Sequence, residues 1–183
     1  MAMVSSMLPL GTKAPHFSLP DVVSGKTVEL EDFAKNKALL VMFICRHCPY
    51  VVHVRPELVR LGRDYGGKGV GIVAISSNDA KTYPDDAPAK LKAMADENAF
   101  PFPMCYDESQ EVARAFGAVC TPDFFLFGPE KTLVYRGQLD ETRPNSGAPT
   151  GRDLRAALDA VLAGKPVSTD QKPSVGCGIK WKR

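Results

Sequence analysis

Ala38-Leu39-Leu40-Val41-Met42-Phe43-Ile44-Cys45-Arg46-His47-Cys48-Pro49-Tyr50-Val51 joins an unbroken apolar run to two cysteines separated by two residues. The run is strand-sized and rich in β-formers, which fits a central strand covered on both faces. Beyond the cysteines, Val51, Val54, Leu58, Leu61 and Tyr65 recur at spacings of three and four. That spacing describes one buried helix face, and Gly66-Gly67 ends it. Pro56 falls inside this helix, where a missing donor and a crowded ring predict a kink.

A cysteine pair at a strand-to-helix junction has a specific chemistry. Two intervening residues let the sulfurs approach bonding distance without a large backbone change. Helix amides and the macrodipole favour an anion there, so Cys45 is expected to ionise below the ordinary thiol value of about 8.5. Arg46 and His47 are read as thiolate-stabilising cations. Pro49 suits a first-turn position, where its missing N–H has no intrahelical acceptor. The expected reaction is thiol–disulfide exchange, with Cys45 as nucleophile and Cys48 as resolving thiol.

Two other uses of the pair are open. Cys45 could attack a hydroperoxide and become a sulfenic acid that condenses with Cys48. Alternatively, Cys45, Cys48 and a histidine could carry a metal such as copper. Structural zinc needs four ligands, and no second CxxC is present. The CxxCH pattern of haem attachment fails because Pro49 follows Cys48. No glycine-rich phosphate loop or Ser–His arrangement is visible, so no metal and no organic cofactor is assigned.

Working outward, Phe17-Ser18-Leu19 and Thr27-Val28-Glu29-Leu30 flank a turn at Asp21–Lys26 and read as an N-terminal hairpin. Val70 to Ser76 is a second buried strand, and Ala89 to Ala99 is a helix. Phe102 to Tyr106 reads as a short strand with Cys105 in its core. Asp107 and Gly117 bound a short helix. Phe124–Phe127 and Leu133–Arg136 form a hairpin, and Leu154–Leu162 lies in the last helix. The order implies one α/β domain over residues 8–163, with a central mixed sheet and helices on both faces. Residues 1–7 are expected to be a flexible leader and 164–183 an irregular C-terminal tail.

The chain has 183 residues, with 23 Lys plus Arg against 21 Asp plus Glu and a formal net charge of +2. With no basic block, neither nucleic acid nor a membrane is an expected partner. No apolar run approaches the ~20 residues of a membrane span. The opening MAMVSSMLPLGTK lacks a basic lead and a clear cleavage site, so a cytoplasmic location is expected. Five cysteines are few for a disulfide-stapled secreted chain of this length.

Several segments together resemble the thioredoxin superfamily, specifically its peroxiredoxin-like alkyl hydroperoxide reductase and thiol-specific antioxidant (redoxin) group. They are Gly11–Pro20, Leu40–Tyr50, Val73–Asn78 and Gly117–Asp123, with Gly176–Trp181 similar to a bacterial subgroup. The resemblance implies a thioredoxin-like fold. It also implies a cis bond before Pro122 in a loop facing the cysteines, where Thr121 and Pro122 position an extended substrate. Cys120 and Cys177 become candidate accessory thiols. The implied partners are protein or small-molecule disulfides and a reductase or thiol that restores the dithiol. True peroxiredoxins carry proline seven and threonine or serine three residues before the reactive cysteine. Here those positions are Ala38 and Met42, which favours exchange over peroxide reduction.

Overall fold

A computed structural model describes all 183 residues. Along the chain lie β1 (Ala2–Val4), β2 (Ser18–Pro20), β3 (Thr27–Glu29), β4 (Ala38–Phe43), α1 (Pro49–Gly66), β5 (Val70–Ser76) and α2 (Pro88–Glu97). They are followed by β6 (Met104–Tyr106), α3 (Glu111–Phe116), β7 (Cys120–Thr121), β8 (Asp123–Phe127), β9 (Leu133–Gly137), α4 (Arg152–Leu162) and β10 (Val175–Gly178).

The central sheet has the order β6-β5-β4-β8-β9. Strand β4 runs parallel to β5 and antiparallel to β8, so the sheet is mixed. Successive side chains on a strand face opposite ways, and β4 feeds two cores. Leu40, Met42 and Ile44 pack with Val51, Leu58 and Leu61 of α1, with Leu91 of α2 and with Leu154 of α4. Leu39, Val41 and Phe43 pack on the other face with Phe116 of α3 and with Phe17 and Leu19. The apolar run is therefore continuous because both faces are covered.

The expected N-terminal hairpin is present, with Ser18–Pro20 paired antiparallel to Thr27–Glu29. Asp21 closes its turn by accepting from the amides of Val23 and Ser24. The short helix near residue 107 begins at Glu111, later than its capping signal. Asp107 still anchors it, accepting the Ala113 amide at 3.0 Å and the Ser77 hydroxyl at 2.7 Å. Helix α1 remains one helix through Pro56.

The chain ends depart from expectation. Residues 2–4, expected as part of a flexible leader, form β1, and the tail expected to be irregular contains β10. These pair antiparallel with each other, and β10 also pairs with β7. Hydrogen bonding explains why such short segments order: Ser174 and Ser5 exchange bonds, and the Ser174 hydroxyl donates to Gly137. Further along, Lys180 donates to Asn78 Oδ1, while its carbonyl accepts from Asp79 and Gln110. The Arg114 guanidinium lies 4.4 Å from the Trp181 ring centroid, a cation–π contact on the last turn of tail. Neither segment shows an apolar period long enough to read in advance.

Two consequences are measurable. Phe116 is fully buried, with its ring against Phe43, Phe125 and Phe127 at 5.5–5.9 Å between centroids. Phe116→Ala should lower the unfolding free energy in urea by about 3–5 kcal/mol; a loss under about 1 kcal/mol, the scale of a surface change, would contradict this packing. Asp123, at the start of β8, is buried with Oδ2 unpartnered, and burial pushes its carboxyl up to about 8. The folded chain then holds a proton that an unfolded Asp, at about 3.9, releases. Stability from this group is complete below that value and declines as pH rises through the folded one. Asp123→Asn should therefore flatten the fall in unfolding free energy between about pH 4 and pH 8. Parallel pH profiles for the two proteins would contradict it.

Candidate active site

The cysteine pair follows β4 directly, at the carboxyl end of the two parallel strands β4 and β5. Helix α1 begins at Pro49 and has Cys48 as its N-cap residue, in extended backbone conformation. Cys45, Arg46 and His47 therefore precede the helix. This shifts the electrostatics by one residue type: the amide-rich end of α1 acts on Cys48 rather than on Cys45.

Thr121 and Pro122 face the pair, joined by the cis bond that the resemblance implied. Thr121 Oγ1 lies 3.3 Å from Cys45 Sγ, and Cys48 Sγ lies 3.4 Å from the Thr121 carbonyl oxygen. The strand β10 delivers a third sulfur, with Cys177 Sγ 2.6 Å from Cys48 Sγ. All five cysteines are free.

Cys48 is the more acidic sulfur of the pair. The neighbouring Cys45 thiol is the main cause, followed by Cys177, and against the cost of burial they hold Cys48 well below the ordinary thiol range. Cys45 is driven the opposite way by Cys48, by burial and by the Asp86 carboxylate. The expectation that Cys45 is the ready thiolate therefore does not describe this state.

Arg46 and His47 also have a different setting from the one expected. The Arg46 amide donates to Asp86 Oδ1 at 2.8 Å, and its guanidinium is 3.5 Å from Asp85. His47 Nδ1 is 2.6 Å from Asp86 Oδ2, and the imidazole stacks parallel to the Tyr83 ring. Both side chains thus face carboxylates. Asp86 is fully buried and also accepts from Asn78 Nδ2 at 2.8 Å. Arg55, on the next turn of α1, donates to the Arg46 carbonyl at 3.0 Å, and burial lowers its pKa. Sequence reasoning missed Asp86, Tyr83 and Arg55. Its one available signal was the polar, proline-bounded stretch Asn78–Pro88, which lies beside the pair.

Cys45, His47 and Asp86 each offer a ligand atom within 4.8 Å of the others. A metal at this corner would use Asp86 in place of Cys48, unlike the Cys45, Cys48 and histidine set considered above. Cys48 is instead turned toward Cys177 and Thr121. The candidate accessory thiols divide: Cys177 reaches the pair, whereas Cys120 is fully buried and its thiol is pushed up by that burial and by Asp123. Cys105 is core, as expected, with its thiol pushed up to about 12 by burial and then by Asp21. His53 of α1 is half-buried, with Nε2 2.9 Å from the Thr142 hydroxyl.

Comparison with known proteins agrees with this architecture. The structure of an uncharacterized conserved protein from Geobacillus kaustophilus matches with a TM-score of 0.97 and 56% identity, covering 100% of this chain and 97% of that one. A hypothetical protein from Sinorhizobium meliloti 1021 matches with a TM-score of 0.95 and 48% identity, covering 98% of each chain. Among curated proteins, the thiol-disulfide oxidoreductase ResA of Bacillus thuringiensis subsp. konkukian is 25% identical over 134 residues, 73% of this chain and 72% of its own. No helix is long and apolar enough to cross a membrane. The AhpC/TSA family model matches residues 10–136. With its thioredoxin-like fold, the chain belongs to the AhpC/TSA family, in the peroxiredoxin-like redoxin group of the thioredoxin superfamily.

Proposed function

We propose that the chain is a thiol–disulfide oxidoreductase whose exchanging pair is Cys45 and Cys48. The observation that carries this reading is geometric: the two cysteines sit between the carboxyl end of β4 and the amino end of α1, and both sulfurs face Thr121 of the cis-Pro122 loop. A proton passed from Cys45 to Cys48 makes Cys45 the nucleophile. Cys45 then attacks a substrate disulfide, one substrate thiolate leaves, and a mixed disulfide forms on Cys45. Cys48 then passes its proton to the departing substrate thiolate and attacks the Cys45 sulfur. That step releases the second substrate thiolate and leaves a Cys45–Cys48 bridge. Thr121, with its hydroxyl on Cys45 and its carbonyl on Cys48, is placed to hold the substrate strand, and Pro122 shapes that loop.

The name of the ResA relative is consistent with this class of reaction. Substrates would be protein or small-molecule disulfides, and a reductase or small thiol would return the dithiol. A reducing compartment such as the cytoplasm suits that cycle. Arg46 and His47 act in it through Asp85 and Asp86, tuning the field beside Cys45 rather than cancelling the sulfur charge directly.

A second reading has one observation in its favour. Peroxide chemistry needs a hydroxyl beside the reactive sulfur, and Thr121 supplies one at 3.3 Å although Met42 cannot. Cys45 would then displace alcohol or water from a hydroperoxide, gain the oxygen as sulfenic acid, and lose it as water on condensation with Cys48.

Trapping separates the roles. With a model peptide disulfide, Cys48→Ser should accumulate a stable mixed disulfide through Cys45, read by mass spectrometry, while Cys45→Ser should give none at Cys48 that supports turnover. A mixed disulfide found on Cys48 in the wild-type cycle would reverse the assignment. Oxidation by a hydroperoxide outpacing oxidation by the disulfide would select the second reading.

A further inference from the structure

The exchange reading leaves a third sulfur unexplained. Cys45 and Cys48 are 1% and 0% exposed, so both lie beneath the surface. Cys177 contacts Cys48 and is the half-exposed member of the three. Its sulfur is 2.6 Å from Cys48 Sγ, and a disulfide is about 2.05 Å long, so bond formation needs only a small approach. Cys48 is thus the middle sulfur, paired with Cys45 in the CxxC segment and in contact with Cys177.

The tail is built to hold that position. Cys177 pairs with Thr121 and Gly178 with Cys120 in the β10–β7 register. A side chain at residue 176 would place its Cβ 1.9 Å from the Thr121 carbonyl oxygen, so only glycine admits this approach. At residue 178 a Cβ would fall 2.5 Å from Met3 Sδ. The strand is also clamped at both ends, by Ser174 with Ser5 and by Lys180 with Asn78. A cysteine between two glycines, bound edge-on to the loop that faces the pair, is not incidental packing.

The geometry points to Cys177 as a third exchanging thiol that takes the disulfide from Cys45–Cys48 onto Cys48–Cys177, the bridge that an outside reductant meets. This rests on the exchange reading and extends it. In the step, Cys177 loses its proton to solvent and its thiolate attacks Cys48. The Cys48–Cys177 bond forms, the Cys45–Cys48 bond breaks, and Cys45 leaves as a thiolate that is reprotonated. Cys177 is oxidised and Cys45 reduced, so no external electrons are needed. A small thiol then attacks the half-exposed Cys177 sulfur, freeing the Cys48 thiolate. A second equivalent restores the Cys177 thiol and departs as the small-molecule disulfide.

The test is disulfide mapping of the full chain after oxidation with oxidised glutathione, acid quenching and alkylation. Trypsin cuts after Arg46 and so separates Cys45 from Cys48, which gives each bridge its own cross-linked peptide. The wild type should contain both Cys45–Cys48 and Cys48–Cys177. Cys45→Ser should form Cys48–Cys177 in high yield. Cys177→Ser should still form Cys45–Cys48, but reduced glutathione should open it roughly tenfold or more slowly, because access limits exchange. Absence of Cys48–Cys177 from both the wild type and Cys45→Ser would overturn the proposal, as would an unchanged reduction rate in Cys177→Ser. Failure of Cys45–Cys48 to form in Cys177→Ser would instead overturn the exchange reading, so the two failures are distinct.

Discussion

The sulfur of Cys48 at the amino end of α1 is the point on which this structure turns. A thiol has little reason to ionise in a dry interior, because burial alone raises its pKa. Here the burial cost is exceeded by its surroundings, chiefly Cys45, then Cys177 and the helix residue Val51. Each comes from a different element. The low pKa of Cys48 therefore depends on the strand β4, the helix α1 and the tail strand β10 holding their mutual positions.

The fold supplies those positions through burial on both sides of one strand. Strand β4 sends alternate side chains into two cores, which fixes its carboxyl end and so fixes where Cys45 emerges. Strand β8 pairs with β4 antiparallel and carries the cis-Pro122 loop to the same end. The loop then offers its other edge to β10. On the far side, Asp86 joins the Arg46 backbone, the His47 ring and Asn78, so the segment between the cysteines is gripped by a buried carboxylate. That acid also faces Cys45 and raises the pKa of its thiol.

Much of this was legible in residue order. The apolar run 38–44, the helix period from Val51 to Tyr65 and the hairpin around Gly128 are strong signals because each reflects many buried residues at a fixed spacing. The cysteine pair announced its chemistry through its place between strand and helix. The division of charge within the pair was less accessible. It depends on α1 starting at Pro49, after the pair's first three residues, and a boundary shift of that size lies within the ambiguity of sequence reading. Asp86 was hidden because a buried carboxylate looks like any other acid in a polar stretch. Cys177 stood out as a candidate accessory thiol, but its place against Cys48 was hidden: strand pairing between β10 and the two-residue β7 is decided by glycine clearance and backbone bonds, neither of which produces a hydropathy pattern.

The most direct check on this account is a pH titration of thiolate ultraviolet absorbance on the fully reduced chain, compared with Cys48→Ser. The account predicts one thiolate already present at neutral pH in the native protein and none in the variant. A native chain whose first thiol ionises only near the ordinary value of about 8.5, or a variant that keeps the early thiolate, would contradict it.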